Sequence, residues 1–173
     1  MPSPKELTPE QLLNTAITEL RRNYSDIDVL NSIYLKALEF GFENGFDDLS
    51  RLEALVVAAW LTWGAMGNGG VSCAMNNPYS LFEAADAMTA IGHVEAARRL
   101  RAGSKILFPN GQSTDRDKND EIIQQFEETT GKDADDLFDE FASVSIDLTD
   151  RLVTYIYDNW EEAIASDSNR MAK

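Results

Sequence analysis

Apolar residues recur every three or four positions along this chain and nowhere settle into sustained alternation with polar ones, which leaves the α-helix as its regular structure. The stripe Leu12, Leu13, Ala16, Ile17 and Leu20 follows Thr8-Pro9-Glu10-Gln11. There Thr8 is placed as N-cap, Pro9 as the first helical residue and Gln11 as the partner that closes a capping box. A second stripe, Val29, Leu30, Ile33, Tyr34, Ala37 and Leu38, predicts a helix over about 28–43, with Gly45 as its stop. Ser50-Arg51-Leu52-Glu53 is another capping box, opening a helix so apolar from Leu55 to Trp63 that it is expected at the centre of the fold.

That helix is expected to end in the glycine-rich run Gly64 to Gly70, read as a C-cap and tight turn. Asn77-Pro78 then starts a helix that turns Leu81, Phe82, Ala85, Met88 and Ile91 inward and closes at Gly92. His93 to Phe108 is a further helix, stopped by Pro109, and the polar stretch Asn110 to Asn119 reads as a surface loop. Ile122, Ile123 and Phe126 mark a helix ended by Gly131; Leu137, Phe138 and Phe141 mark a short one; Leu148 to Ile164 is the last. The expectation is an all-α chain, one compact domain over 1–173 of about seven or eight helices. Its helical core would span 50–165, with N-terminal helices over 9–45 packed on it.

Charge sets the second constraint. Thirty Asp and Glu oppose fifteen Lys and Arg, a formal net charge of -15, while 43% of residues are hydrophobic, too many for a disordered acidic tail. Such a molecule is repelled by nucleic acid and anionic membrane and attracts basic surfaces, more weakly as salt rises. The charge is uneven: 1–53 has a net of -5, 54–114 of +1 and 115–173 of -11. The first thirteen residues carry acids and prolines instead of a basic and then an apolar stretch, so no secretory leader is expected. The apolar stretch Ala54 to Met66, interrupted by Thr62 and Gly64, reads as too short to span a bilayer. With Cys73 as the only cysteine, no intramolecular disulfide can form, and a cytoplasmic location is expected.

The motifs that could carry chemistry fall short. Gly64 to Gly70 lacks the Gly-Lys-Ser/Thr ending of a P-loop and follows a helix instead of a strand. Asp115, Asp117 and Asn119 open like a calcium loop, but Asp120 stands where the sixth-position glycine belongs and Phe126 where the bidentate glutamate belongs. His93, the only histidine, has no second histidine for zinc or for paired acid–base work and reads as structural or solvent-facing. Cys73 has no base nearby in sequence to activate it and reads as a packed thiol. Trp60 and Trp63 are core candidates, whereas Tyr155, Tyr157 and Trp160 alternate with acids and could face both core and surface. No catalytic residue, metal or cofactor is expected.

The acids themselves form the pattern. Asp115, Asp117, Asp120 and Glu121 are one group; Asp133, Asp135, Asp136, Asp139 and Glu140 a second; Asp158, Glu161 and Glu162 a third. Glu39, Glu43, Asp47 and Asp48 form a second patch. Many fall three or four residues apart, where like charges destabilise a helix by roughly 0.2–0.5 kcal/mol per pair. Few bases are interleaved, which points to selection for charge itself. Duplex DNA presents about one negative charge per 1.7 Å of axis. A helix face with a carboxylate at every turn offers anions to groups built to grip phosphates.

Asn68-Gly69-Gly70, Asn76, Ala90-Ile91-Gly92, Ala96-Ala97 and Leu107-Phe108-Pro109 resemble the motifs of an acidic all-helical family that includes DNA-mimic proteins. Asp115-Arg116, after the Pro109-Asn110-Gly111 turn, and Leu148-Thr149, Tyr155 and Asn159 extend the similarity from about residue 50 to 165. The chain departs from the pattern at Val71-Ser72-Cys73-Ala74-Met75, where the family carries Gln and aromatics. The resemblance implies a dimeric, non-enzymatic regulator that occupies the DNA-binding face of a helix-turn-helix transcription factor and binds neither nucleic acid nor membrane. The residues by themselves leave open an acidic scaffold or immunity-type protein, or an enzyme of unknown activity.

Overall fold

The structure is a computed structural model that describes residues 7–171; the leader reading of the first six residues lies outside them. The described chain is all-α, 80% helical and without strands. Ten α-helices follow in order: α1 Pro9–Asn14, α2 Ile17–Asn23, α3 Asp26–Asn44, α4 Arg51–Ala74, α5 Leu81–Ala90, α6 Val94–Leu107, α7 Arg116–Thr130, α8 Asp139–Val144, α9 Leu148–Asp158 and α10 Trp160–Met171. Short 3₁₀ turns cover Phe46–Asp48 and Ala134–Phe138. Backbone proximity divides the chain into two compact units, one of residues 1–57 with 149–173 and one of residues 58–148.

Local chemistry sets most boundaries. Thr8 and Gln11 close their reciprocal box, with the Thr8 N–H donating to Gln11 Oε1 at 2.9 Å. Ser50 and Glu53 close theirs as well. Other boundaries correct the sequence reading. The first stripe is broken at Thr15-Ala16 into α1 and α2. Asn159 divides the last helix into α9 and α10. Ser80, bonded reciprocally with Glu83, caps α5 in place of Asn77-Pro78. The loop expected over 110–119 gives way at Asp115, the N-cap of α7, because buried Asn119 bonds both backbone groups of Ser113 and draws the turn onto the helix.

The largest correction concerns α4. It runs through Gly64 and Gly67, and its backbone leaves helical geometry only at Gly69 and Gly70, before one further turn to Ala74. At 24 residues it meets the length and mean-hydropathy test for a membrane span, contrary to the expectation of a stretch too short. Leu52, Val56, Val57, Ala58, Ala59, Thr62 and Ala65 are among its buried positions, and 33% of its apolar window is buried.

In the first unit, Leu12, Ile17, Leu20, Leu30, Ile33, Leu52, Leu152 and Ile156 are buried around a charged centre. Lys36 Nζ lies 2.5 Å from Asp167 Oδ1, with side chains 6% and 7% exposed. The ammonium also donates to the Thr15 carbonyl at 2.7 Å, and Asp167 Oδ2 accepts the Ile17 N–H at 3.1 Å. One ion pair thus fastens the α1–α2 break, α3 and α10 together. Beside it, buried Glu53 accepts from Arg170 Nη2 at 2.9 Å while also closing the α4 capping box.

In the second unit, α5 and α6 pack on each other, and their buried residues include Ala84, Ala85, Ala87, Ala96 and Ala97, small side chains that let backbones approach. Gly103 of α6 leaves room for the 138-turn: a Cβ there would lie 2.7 Å from the Phe138 ring and 2.8 Å from the Leu137 carbonyl oxygen. Phe108, Phe138, Phe141, Leu100 and Leu148 fill the remaining interior.

Removing Asp167 leaves the Lys36 ammonium buried without its counter-charge, and breaking a buried pair from one side costs about 3–5 kcal/mol. Urea unfolding of Asp167→Ala is expected to show a loss of that size, and Lys36→Met/Asp167→Leu to recover most of it.

Candidate functional site

The second unit holds fifteen acids and seven bases, but twelve of the acids and three of the bases lie in residues 115–148. That segment is α7, the 3₁₀ turn and α8, so the acid surplus rides on helices with few cations beside it. The basic residues cluster on α6. There Glu95 binds Arg98 and Arg99, and the two guanidinium groups pull its carboxyl down to about 2. Arg101 pairs with Asp86 of α5, and Arg99 reaches Glu140 of α8.

These contacts separate the candidate acids by what they already do. In the first group, Asp115 caps α7 through the Asp117 N–H at 3.1 Å and lies 3.6 Å from Lys118. Asp120 lies 3.4 Å from Arg116. Asp117 and Glu121 are exposed one turn apart, with no cationic partner among the described residues. In the second group, Asp133 caps the 3₁₀ turn, Asp135 is turned to structural use, and Glu140 is paired with Arg99. Asp136 and Asp139 remain exposed and without a cation among the described residues.

The first unit carries the third group and the second patch. Glu162 is half-buried and accepts the Leu52 N–H at 2.8 Å, which makes it an anchor for the start of α4. Asp158 and Glu161 are exposed. Glu39 and Glu43 are exposed one turn apart on α3, and Asp47 and Asp48 follow on the 3₁₀ turn. Glu39 and Glu43 border a groove of about 670 Å³ together with Glu10 of α1. Sequence reading missed Glu10, because it sits on another helix and no one-helix spacing relates it to the pair.

The aromatics and single reactive residues also take definite places. Trp60 and Trp63 are half-buried instead of core, stacked on each other with centroids 4.9 Å apart. Arg21 lies over the rings of both Tyr157 and Trp160, at 4.6 and 4.5 Å from their centroids. The Tyr157 hydroxyl donates to Asp26. Burial, then that hydrogen bond, push its ionisation up to about 12. His93 is buried at the start of α6, with Nε2 2.9 Å from Asp147 Oδ1. Cys73 is half-buried.

The Asn-Gly-Gly run acquires a role. Gly70 has φ +67°, a conformation that other residues adopt only at a cost, and a Cβ there would overlap the Asp135 carboxylate. That carboxylate accepts the Val71 N–H at 2.7 Å and so caps the last turn of α4 from 64 residues away. Glycine at position 70 therefore admits the acid that holds the kink.

Two outcomes follow. Gly70→Ala loses both the backbone conformation and the room for Asp135, and is expected to cost more than Asp135→Ala, which loses only a cap worth about 0.5–2 kcal/mol; chemical unfolding of both variants measures the order. Tyr157 keeps its proton in the folded state above the ordinary value of 10. Its stabilising contribution is complete below pH 10 and is lost as pH rises through about 12. Burial also raises Tyr34 and Tyr155, so absorbance titration is expected to show several late-ionising tyrosines, of which Tyr157→Phe removes the component near pH 12.

No curated protein and no solved structure matches the chain. The family model described as DMP19-like protein matches residues 47–159, which includes the α4 kink and the acid-rich helices after it. On that match, covering well over half of its length, the chain belongs to the DMP19-like family, a family of DNA-mimic proteins.

Proposed function

We propose that this protein is itself a DNA mimic, a non-enzymatic regulator whose exposed carboxylates occupy the DNA-binding face of a basic protein and block its access to DNA. The observation that carries the reading is the set of uncompensated acids on regular backbone: Asp117 and Glu121 on α7, Asp136 on the 3₁₀ turn and Asp139 at the start of α8. Carboxylates one helical turn apart advance about 6 Å along the axis, close to two base steps of one DNA strand at about 3.4 Å each. Groups that grip phosphates, namely Arg, Lys and helix N-termini, are the groups such a face attracts. A helix-turn-helix transcription factor is the proposed partner, and a cytoplasmic homodimer the proposed working form.

In this reading the twelve acids of the three groups do not contribute equally. Asp115, Asp133, Asp135 and Glu162 give their oxygens to backbone N–H groups and serve the fold first. Asp120 and Glu140 are partly offset by Arg116 and Arg99. In the second unit the contact falls to Asp117, Glu121, Asp136 and Asp139; in the first unit the exposed acids are Asp158 and Glu161, with Glu39, Glu43, Asp47 and Asp48 as the second patch.

The test is competition for DNA. Candidate helix-turn-helix proteins are bound to a labelled operator duplex, and this protein is titrated in while anisotropy is read. Release of the duplex is expected, and it should weaken as salt is raised. Asp117→Asn/Glu121→Gln/Asp136→Asn/Asp139→Asn is expected to weaken release by about tenfold or more, an effect of roughly 1.4 kcal/mol, with unfolding curves like those of the parent. If no DNA-binding protein gives up its duplex, the proposal is wrong.

A further inference from the structure

The groove between α1 and α3 is chemically one-sided. Its cations are already spent: Lys36 on Asp167 and the Thr15 carbonyl, Arg170 on Glu53. Each of its two amides gives one N–H to its own helix, Asn14 Nδ2 to the Glu10 carbonyl at 2.8 Å and Asn44 Nδ2 to the Phe40 carbonyl at 3.1 Å. What the groove holds in excess is negative charge: the Glu10, Glu39 and Glu43 carboxylates, set beside the two amide oxygens. Leu13 and Phe40 supply apolar and aromatic surface between them. The Phe40 ring already takes one guanidinium, that of Arg170, whose carbon lies 3.3 Å from the ring centroid.

We propose that this groove receives an arginine-bearing segment of the basic partner, an assignment that rests on the mimic reading above. The complement of an acid-rimmed hollow whose own cations are already paired is a ligand rich in donors and positive charge. Between the two basic side chains, arginine fits better. Its planar fork of five N–H donors can span neighbouring carboxylates and amide oxygens, and its weakly hydrated face lies against apolar and aromatic surface. The ammonium of lysine is a compact, strongly hydrated charge that gains less there. The groove would thus read the kind of base, whereas an open carboxylate face senses mainly charge.

The full chain, labelled with ¹⁵N, is titrated with hexa-arginine and separately with hexa-lysine at physiological salt. Amide shifts are expected to concentrate on Leu13, Asn14, Phe40 and Asn44, with hexa-arginine binding at least about fivefold tighter than hexa-lysine. Glu39→Gln/Glu43→Gln, surface changes outside the core, are expected to weaken hexa-arginine by at least about fivefold, and Glu128→Gln/Asp150→Asn, the same loss of charge at exposed acids outside the candidate groups, to leave it unchanged. Equal affinity for the two peptides overturns the proposal, as does equal weakening by the two variants or shifts spread over α7 and α8. Groove binding without displacement of any DNA-binding protein sinks the mimic reading and keeps the groove. Displacement that survives Glu39→Gln/Glu43→Gln, with the peptide bound elsewhere, sinks the groove and keeps the mimic.

Discussion

Three carboxylates hold helix starts that lie far from them in sequence: Asp167 at Ile17, Glu162 at Leu52 and Asp135 at Val71. The first four N–H groups of a helix have no partner within it and carry the positive end of its dipole. In a chain with twice as many acids as bases, those N–H groups become the second supply of positive potential. The fold draws on it repeatedly, and in doing so fixes α10 against the N-terminal helices and the 3₁₀ turn against the α4 kink. Arginine and lysine would serve the same purpose only by neutralising the surface.

The division of labour among acids follows from that economy. Carboxylates that cap a helix or meet a guanidinium have their charge delocalised into the fold, and those left over stand in solvent at helical spacing. The remaining repulsion is modest, a few tenths of a kcal/mol per neighbouring pair. Interiors that include Phe108, Phe141 and Leu100 in one unit and Leu152 in the other, all essentially without solvent contact, can carry it. A stiff frame matters for a mimic, because anions on a flexible segment would have to be ordered at the moment of binding.

Legibility from the sequence tracked the range of the interaction. The Thr8 and Ser50 boxes were readable because donor and acceptor lie three residues apart, and Gly45 and Gly131 because a helix stop is a local matter. Ser25 was not read, since its box closes with Asp28 in place of the usual Glu or Gln. The persistence of α4 through Gly64 and Gly67 was misjudged: each glycine costs a helix about 1 kcal/mol, a penalty that the long apolar face outweighs. Among the candidate acids, spacing identified the crowded faces. It could not separate Asp135 or Glu162 from their neighbours, because their partners, Val71 and Leu52, are 64 and 110 positions away.

The long reach of Asp167 and Glu162 also bears on the order in which the chain can assemble. Residues 58–148 are contiguous, so everything their unit needs has been made before α10 is begun. The other unit is started first and completed last. At a synthesis rate of about 5–20 residues per second, its opening helices wait several seconds with Lys36 lacking its carboxylate and the Ile17 and Leu52 amides uncapped. A nascent chain halted at Leu148 would thus present one finished unit and one held open. The helix α10 acts as the closing stitch of a unit whose first helices are made before residues 58–148.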